Sequence, residues 1–125
     1  TDVTGVQTCA LPICWRQAGI LAAAGIYALR NNVSRLSIDH ANARRLAEAI
    51  DGGGHLKVTA PVHTNMVMFA PRDPSVSTAD LVTKLAGLGI KVGRSTCGSC
   101  RAVTHLDIGP EEMARAAEVF SSFRM

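Results

Sequence analysis

Aromatic residues are scarce in this chain of 125 residues, with one Trp, one Tyr and three Phe. Trp15, Tyr27, Phe69, Phe120 and Phe123 make no base-stacking platform of the kind that single-stranded nucleic acid uses. Charge of one sign is missing too. Thirteen Lys and Arg stand against ten Asp and Glu, a net +3, and Arg44-Arg45 is the only adjacent basic pair. That is no electrostatic footprint for nucleic acid. Long apolar runs are also absent. The longest, GILAAAGIYAL from Gly19 to Leu29, is too short to span a bilayer. It lies too late for a signal peptide and has no charged region before it. With nothing indicating export, the four cysteines, Cys9, Cys14, Cys97 and Cys100, are not expected to form disulfides, and the expected compartment is the cytoplasm. A starting Met is missing as well, which points to a true amino terminus elsewhere.

What remains is a globular composition, 47% hydrophobic and 18% charged, at a length that suits one domain with a real core. The first stretch does not share it. Residues 1–13 have no period, and VTGVQTCALPI (Val3 to Ile13) resembles the translation of a sequencing-library adapter fused to an environmental reading frame. On that reading residues 1–14 are a non-native leader, set aside from the fold. The alternative is an ordinary frayed N-terminal arm. Residues 15–125 are then the domain.

From Trp15 the apolar residues recur at helical spacing, through Ala18, Leu21, Ala22, Ile26 and Leu29. Asn31-Asn32 is a stop or a bend. A second helix follows, with Val33, Leu36, Ala43, Leu46, Ala47 and Ile50 on one face and Arg35, Asp39, Asn42, Arg45 and Glu48 largely off it. Gly52-Gly53-Gly54 ends it. LKVTA (56–60) alternates like a half-buried strand, and NMVMFA (65–70) is a continuous apolar run expected to be buried on both faces. Ser77-Thr78-Ala79-Asp80 fits a helix start, with Leu81, Val82, Leu85 and Leu88 as its buried stripe. IKV (90–92) and RAVTHLDI (101–108) read as strands. Gly109-Pro110-Glu111-Glu112 opens a last helix whose core face is Met113, Ala116, Phe120 and Phe123. The order helix, helix, strand, strand, helix, strand, strand, helix implies an α+β two-layer sandwich, helices on one face of a mostly antiparallel sheet.

Few residues invite chemistry. On a strand, Arg101, Val103, His105 and Asp107 share one face. A strand-borne Arg is a fixed fork for a carboxylate. The same row also makes sense as a solvated face with an Arg101–Asp107 or His105–Asp107 ion pair. Cys97-Gly98-Ser99-Cys100 is a CxxC, but it has no second ligand pair for zinc, and it precedes a strand where a redox dithiol opens a helix. The simpler reading is two loop thiols, and no metal is expected. The triple glycine lacks a phosphate-binding frame. His40 reads as a packed or half-exposed helix residue, and His55 and His63 as solvent-facing. Arg16, at a helix start, is disfavoured by the dipole unless an anion is present. An exposed Arg is the other reading.

At WRQAGILAAAGIYAL, DHANARRLAEAI and RAVTHLDI the chain resembles the low-specificity L-threonine aldolases, pyridoxal-phosphate enzymes of fold type I within the beta-eliminating lyases. The resemblance runs from about Trp15 to the C-terminus, in the family's order and spacing. It implies that residues 15–125 are the small C-terminal domain, preceded in the family by a large domain that carries the Schiff-base lysine. It implies a homotetrameric parent and a small amino-acid substrate, L-threonine or L-allo-threonine, cleaved to glycine and acetaldehyde. Position by position, Arg16 is similar to the family arginine that reaches the cofactor phosphate, and Arg101 to the one that binds the substrate α-carboxylate. Lys57, Lys84 and Lys91 lie in the wrong contexts for the Schiff base, so no catalytic residue is carried over. The CxxC inherits no role. The expectation is a fragment that is inactive by itself. The competing expectations are a free-standing module that holds a small carboxylate through Arg101, and a redox or metal module on Cys97 and Cys100.

Overall fold

A computed structural model describes residues 17–95 and 98–124. The described residues fall into two compact units that divide between Arg35 and Leu36. In the first, helix α1 runs Ala18–Asn31 and buries none of its residues. The helix that the apolar period predicts is present, yet Ile20, Leu21, Tyr27 and Leu29 are all exposed. Its end is sealed at the two asparagines. The Asn32 N–H donates to the Ala28 carbonyl at 2.8 Å, and Asn31 Nδ2 donates to the Tyr27 carbonyl at 2.8 Å.

The second unit is the sandwich. Helix α2 spans Leu36–Gly52, α3 Thr78–Gly87 and α4 Pro110–Ser122. Strands β1 (Leu56–Val58), β2 (Met66–Pro71), β3 (Gly93–Arg94) and β4 (Cys100–Val103) form one sheet in the order β1-β2-β4-β3, every pair antiparallel. The expected α+β class is the observed one.

Burial follows the strand period. Val67, Phe69, Pro71, Cys100 and Ala102 are buried, while Met66, Arg101 and Val103 on the alternate positions are exposed. The expectation that 65–70 is buried on both faces is therefore corrected. Helices supply the core on one face only, so alternate side chains are left on the other. The core joins Leu46 and Ile50 of α2, Leu81 and Leu85 of α3, and Met113 and Phe120 of α4 to that buried row. Phe69 and Phe120 meet edge to face, centroids 5.4 Å apart at 83°, a geometry favoured by the ring quadrupoles.

Local chemistry explains the helix ends. Ser77 is the N-cap of α3, its Oγ accepting the Asp80 N–H at 3.1 Å. Gly109 precedes Pro110 at the start of α4, with Glu111 and Glu112 in the first turn. Just past the end of α2, a Cβ on Gly53 would stand 2.5 Å from the Phe120 carbonyl oxygen. Only glycine lets the two chain segments pass that closely.

Several expectations shift in detail. Val33 and Leu36, read as part of the apolar face, are exposed, whereas Asp39, read as largely off it, is 3% exposed. The helix starts only at Leu36, and the chain just past β4 is drawn onto its first turn, where Thr104 Oγ1 donates to the Asp39 carbonyl at 2.8 Å. Leu88 is exposed because it lies past the end of α3. Strand β3 pairs at 93–94, not 90–92. The strand read over 101–108 ends at Val103, and 106–107 form a turn before α4.

The sheet's β1 edge is closed by side chains. Asp51 Oδ1 accepts the Val58 N–H at 2.9 Å, and Arg72 Nε donates to the Leu56 carbonyl at 2.7 Å. Filled edge groups of this kind discourage pairing with another chain.

Candidate functional site

Arg101 leaves β4 on the sheet face that the helices do not cover. Its cross-strand neighbours are Met68 on β2 and Gly93 on β3. A recess of about 400 Å³ opens there, lined by Met66, Met68, Arg94, Ser95 and Arg101. The root of the Arg101 side chain is fixed, because β4 is an inner strand and its exit is clamped. The Thr104 N–H donates to the Asn65 carbonyl at 2.9 Å, and Asn65 Nδ2 donates back to the Thr104 carbonyl at 2.8 Å. Thr104 itself is 2% exposed, so these bonds are shielded from competing water.

Of the two pairs that the sequence leaves open, the structure holds one. His105 Nδ1 lies 3.5 Å from Asp107 Oδ2 and 3.3 Å from the Asp107 backbone nitrogen. The neutral ring accepts that N–H, and the protonated ring pairs with the carboxylate. Both residues sit beyond the strand, on the way to α4, so they no longer share a row with Arg101. Among the described residues the Arg101 guanidinium has no carboxylate and no hydrogen-bond acceptor on it. A planar cation with its donors unused on a rigid strand is suited to a bidentate anion.

The other candidates are not brought to this place. Arg16 and Cys97 lie outside the described residues. Cys100, read as a loop thiol, is instead a buried strand residue whose Sγ lies 3.9 Å from the Thr78 carbonyl oxygen, on the helix side of the sheet. Burial pushes its thiol pKa up, against a smaller downward pull from Arg94. That is the opposite of a reactive thiolate. Among the described residues no three His, Cys, Asp or Glu side chains form a metal-holding group. No described helix is long and apolar enough to cross a membrane. His40 and His55 are half-buried and His63 is exposed, so the solvent-facing reading of His55 is only partly right. Lys57, Lys84 and Lys91 are exposed, and none lines the Arg101 recess.

Gly93 and the Asn65–Thr104 clamp carry no sequence signal strong enough to single them out. A Gly inside a strand hints at close approach, but only the ladder places Gly93 across from Arg101.

Residues 10–73 match the family model described as beta-eliminating lyase. The chain is 37% identical over 108 residues to the low specificity L-threonine aldolase of Escherichia coli (strain K12), covering 86% of this chain and 31% of that protein. It is 37% identical over 95 residues to low-specificity L-threonine aldolase 1 of Arabidopsis thaliana, covering 74% of this chain and 26% of that protein. The chain thus spans under a third of the length of these curated relatives. Among solved structures, a C-DES mutant with glycine covalently linked to its PLP cofactor matches with a TM-score of 0.64 at 20% identity, over 86% of this chain and 29% of that one. That likeness concerns the fold.

Proposed function

The chain belongs to the beta-eliminating lyase family, and from that membership we propose that residues 15–125 are the small, substrate-gripping domain of a pyridoxal-phosphate-dependent threonine aldolase. The reaction is cleavage of L-threonine or L-allo-threonine to glycine and acetaldehyde. The observation that carries this reading is the Arg101 guanidinium on the uncovered sheet face, unpaired among the described residues, while the carboxylate of Asp107 faces His105. Arg101 holds the substrate α-carboxylate through two parallel N–H donors and so fixes the amino acid's orientation.

Pyridoxal phosphate, when bound, supplies the electron sink that carbon–carbon cleavage next to an amino group requires. No lysine lines the Arg101 recess, and on this reading the Schiff base is assigned to none of Lys57, Lys84 and Lys91. Arg16 is the residue of this chain assigned to the cofactor phosphate, by its likeness to the family arginine in the RQAG motif. The chain's contribution is therefore to bind and orient, and by itself it does not turn over threonine. The parent is a homotetramer acting in the cytoplasm.

The test is a graft. Residues 15–125 replace the corresponding C-terminal segment of the E. coli relative, and acetaldehyde release from L-threonine is measured beside the chain alone. Activity is expected from the graft and none from the chain. Turnover by the chain alone, or a folded, cofactor-loaded graft with no activity, contradicts the reading.

A further inference from the structure

Two cations gathered in one place repel each other, and the repulsion stands unless an acid is set beside them. The recess on the uncovered sheet face holds two, Arg94 and Arg101, and its other lining residues are Met66, Met68 and Ser95. No described acidic side chain lines it. Among the described residues neither guanidinium pairs with a carboxylate. An anion entering the recess relieves the repulsion and fills donors that the fold leaves open.

Strand order gives the recess two unlike sides. β2 brings Met66 and Met68, β4 brings Arg101 in the middle, and Arg94 and Ser95 come from β3 and the residue after it. Next to Arg101 the recess is therefore apolar toward β2 and cationic toward β3. Arg94 stands opposite Cys100, which is buried on the helix side, so its root does not share the row of Arg101. β3 is an edge strand, and Arg94 reaches the recess round that rim. Guanidiniums that arrive from different faces of a sheet are placed for two anionic groups, and not as parallel arms on one. Size agrees, since at about 400 Å³ the recess falls within the roughly 300–1,000 Å³ of small-molecule sites, more room than one carboxylate fills.

We propose that the recess is a dicarboxylate site, with Arg101 holding one carboxylate and Arg94 the other. This rests on the reading of Arg101 as the α-carboxylate fork, and it adds a substrate class: β-hydroxy amino acids whose side chain ends in a second acidic group. Arg94 is then a specificity-determining residue, touching the distal carboxylate while Arg101 takes the α-carboxylate. Arg94 is exposed, so its replacement leaves the fold in place.

The test uses the isotopically labelled 125-residue chain at neutral pH, with sodium chloride at equal ionic strength as the control. Acetate is titrated beside malonate, succinate and glutarate, dianions of increasing length. The Arg Nε–H resonances report binding, and a thermal melt reports folding. Acetate is expected to shift the Arg101 resonance. At least one dianion is expected to shift both Arg94 and Arg101 and to bind, per carboxylate, about fivefold tighter than acetate, the gain of one well-placed exposed ion pair. Arg94→Gln is expected to remove that gain, and Arg94→Lys, which keeps the charge but not the fork, to restore part of it, all with unchanged melts. No preference for any dianion in the wild type, or a preference that survives Arg94→Gln, overturns the second seat and leaves the Arg101 reading standing. No effect of acetate or of any dianion on Arg101 overturns the carboxylate reading of Arg101 itself, and the dicarboxylate site with it.

Discussion

His105 Nδ1 lies 3.3 Å from the Asp107 backbone nitrogen and 3.5 Å from the Asp107 carboxylate, so the partner of that carboxylate is His105 and not Arg101. Both side chains are more than half exposed, so the pair itself contributes little to stability. Asp107→Asn is expected to change unfolding free energy by less than about 0.5 kcal/mol and to leave carboxylate binding at Arg101 unaltered. Denaturant titration and an acetate titration of the variant check both halves. A marked gain in acetate affinity would show that Asp107 competes for Arg101 after all.

The clamp at the end of β4 is a different case, because it is buried. Thr104→Val removes the hydroxyl that donates to the Asp39 carbonyl at 2.8 Å. Loss of that bond is expected to cost about 1–2 kcal/mol, read as a lowered denaturation midpoint with an unchanged slope. Asn65→Ala removes the reciprocal bond to the Thr104 carbonyl. The double variant should lose less than the sum of the two, since both act on one junction. Strict additivity would mean that the two bonds hold separate parts of the fold.

Cys100 gives stability a dependence on alkaline pH. Burial raises its thiol pKa in the folded state above the ordinary value of 9.0. Below that ordinary value the thiol is protonated in folded and unfolded chains alike, and its full contribution to stability is present. As pH rises past it, the unfolded chain loses the proton first, so stability falls until the pH passes the raised folded value. Cys100→Ala is expected to flatten this alkaline loss. In peptide-resolved alkylation at neutral pH, Cys100 is expected to label only as fast as the chain opens. Rapid labelling of Cys100 in the native chain would contradict its placement.

Helix α1 presents Ile20 at 73% and Leu29 at 71% exposure, with none of its residues buried. Large apolar surface of this kind drives association. Sedimentation of the 125-residue chain is expected to show concentration-dependent self-association, and Ile20→Glu with Leu29→Glu to shift it toward monomer. A sharply monomeric wild type at every concentration is the opposing result.

Legibility in the sequence depends on where the information sits. Helices α3 and α4 are readable because their starts are written locally, in Ser77 with Asp80 and in Gly109-Pro110. Strand ends are not, because a ladder stops where its partner stops. β4 ends at Val103: the Thr104–Asn65 bond still follows its register, and the chain then turns at 106–107, with Thr104 Oγ1 held by the distant Asp39 carbonyl. Asp39 looks like a surface residue from its helical position, and only the arrival of Thr104 explains its burial. Arg101 is legible as a fork from its residue type and its strand. Its freedom from Asp107 is not, because that depends on the turn that hands Asp107 to His105. Gly93 is silent for the same reason, since register, not composition, sets it across from Arg101.

The most direct measurement of the central claim is kcat/KM for L-threonine in the graft of residues 15–125 onto the E. coli relative, with Arg101 intact and with Arg101→Ala. Arg101 is exposed in the chain, so its removal is expected to leave folding undisturbed. Loss of a bidentate, charge-assisted contact predicts a fall of about 100-fold or more. Equal kcat/KM for the two grafts would contradict the claim that Arg101 holds the substrate carboxylate.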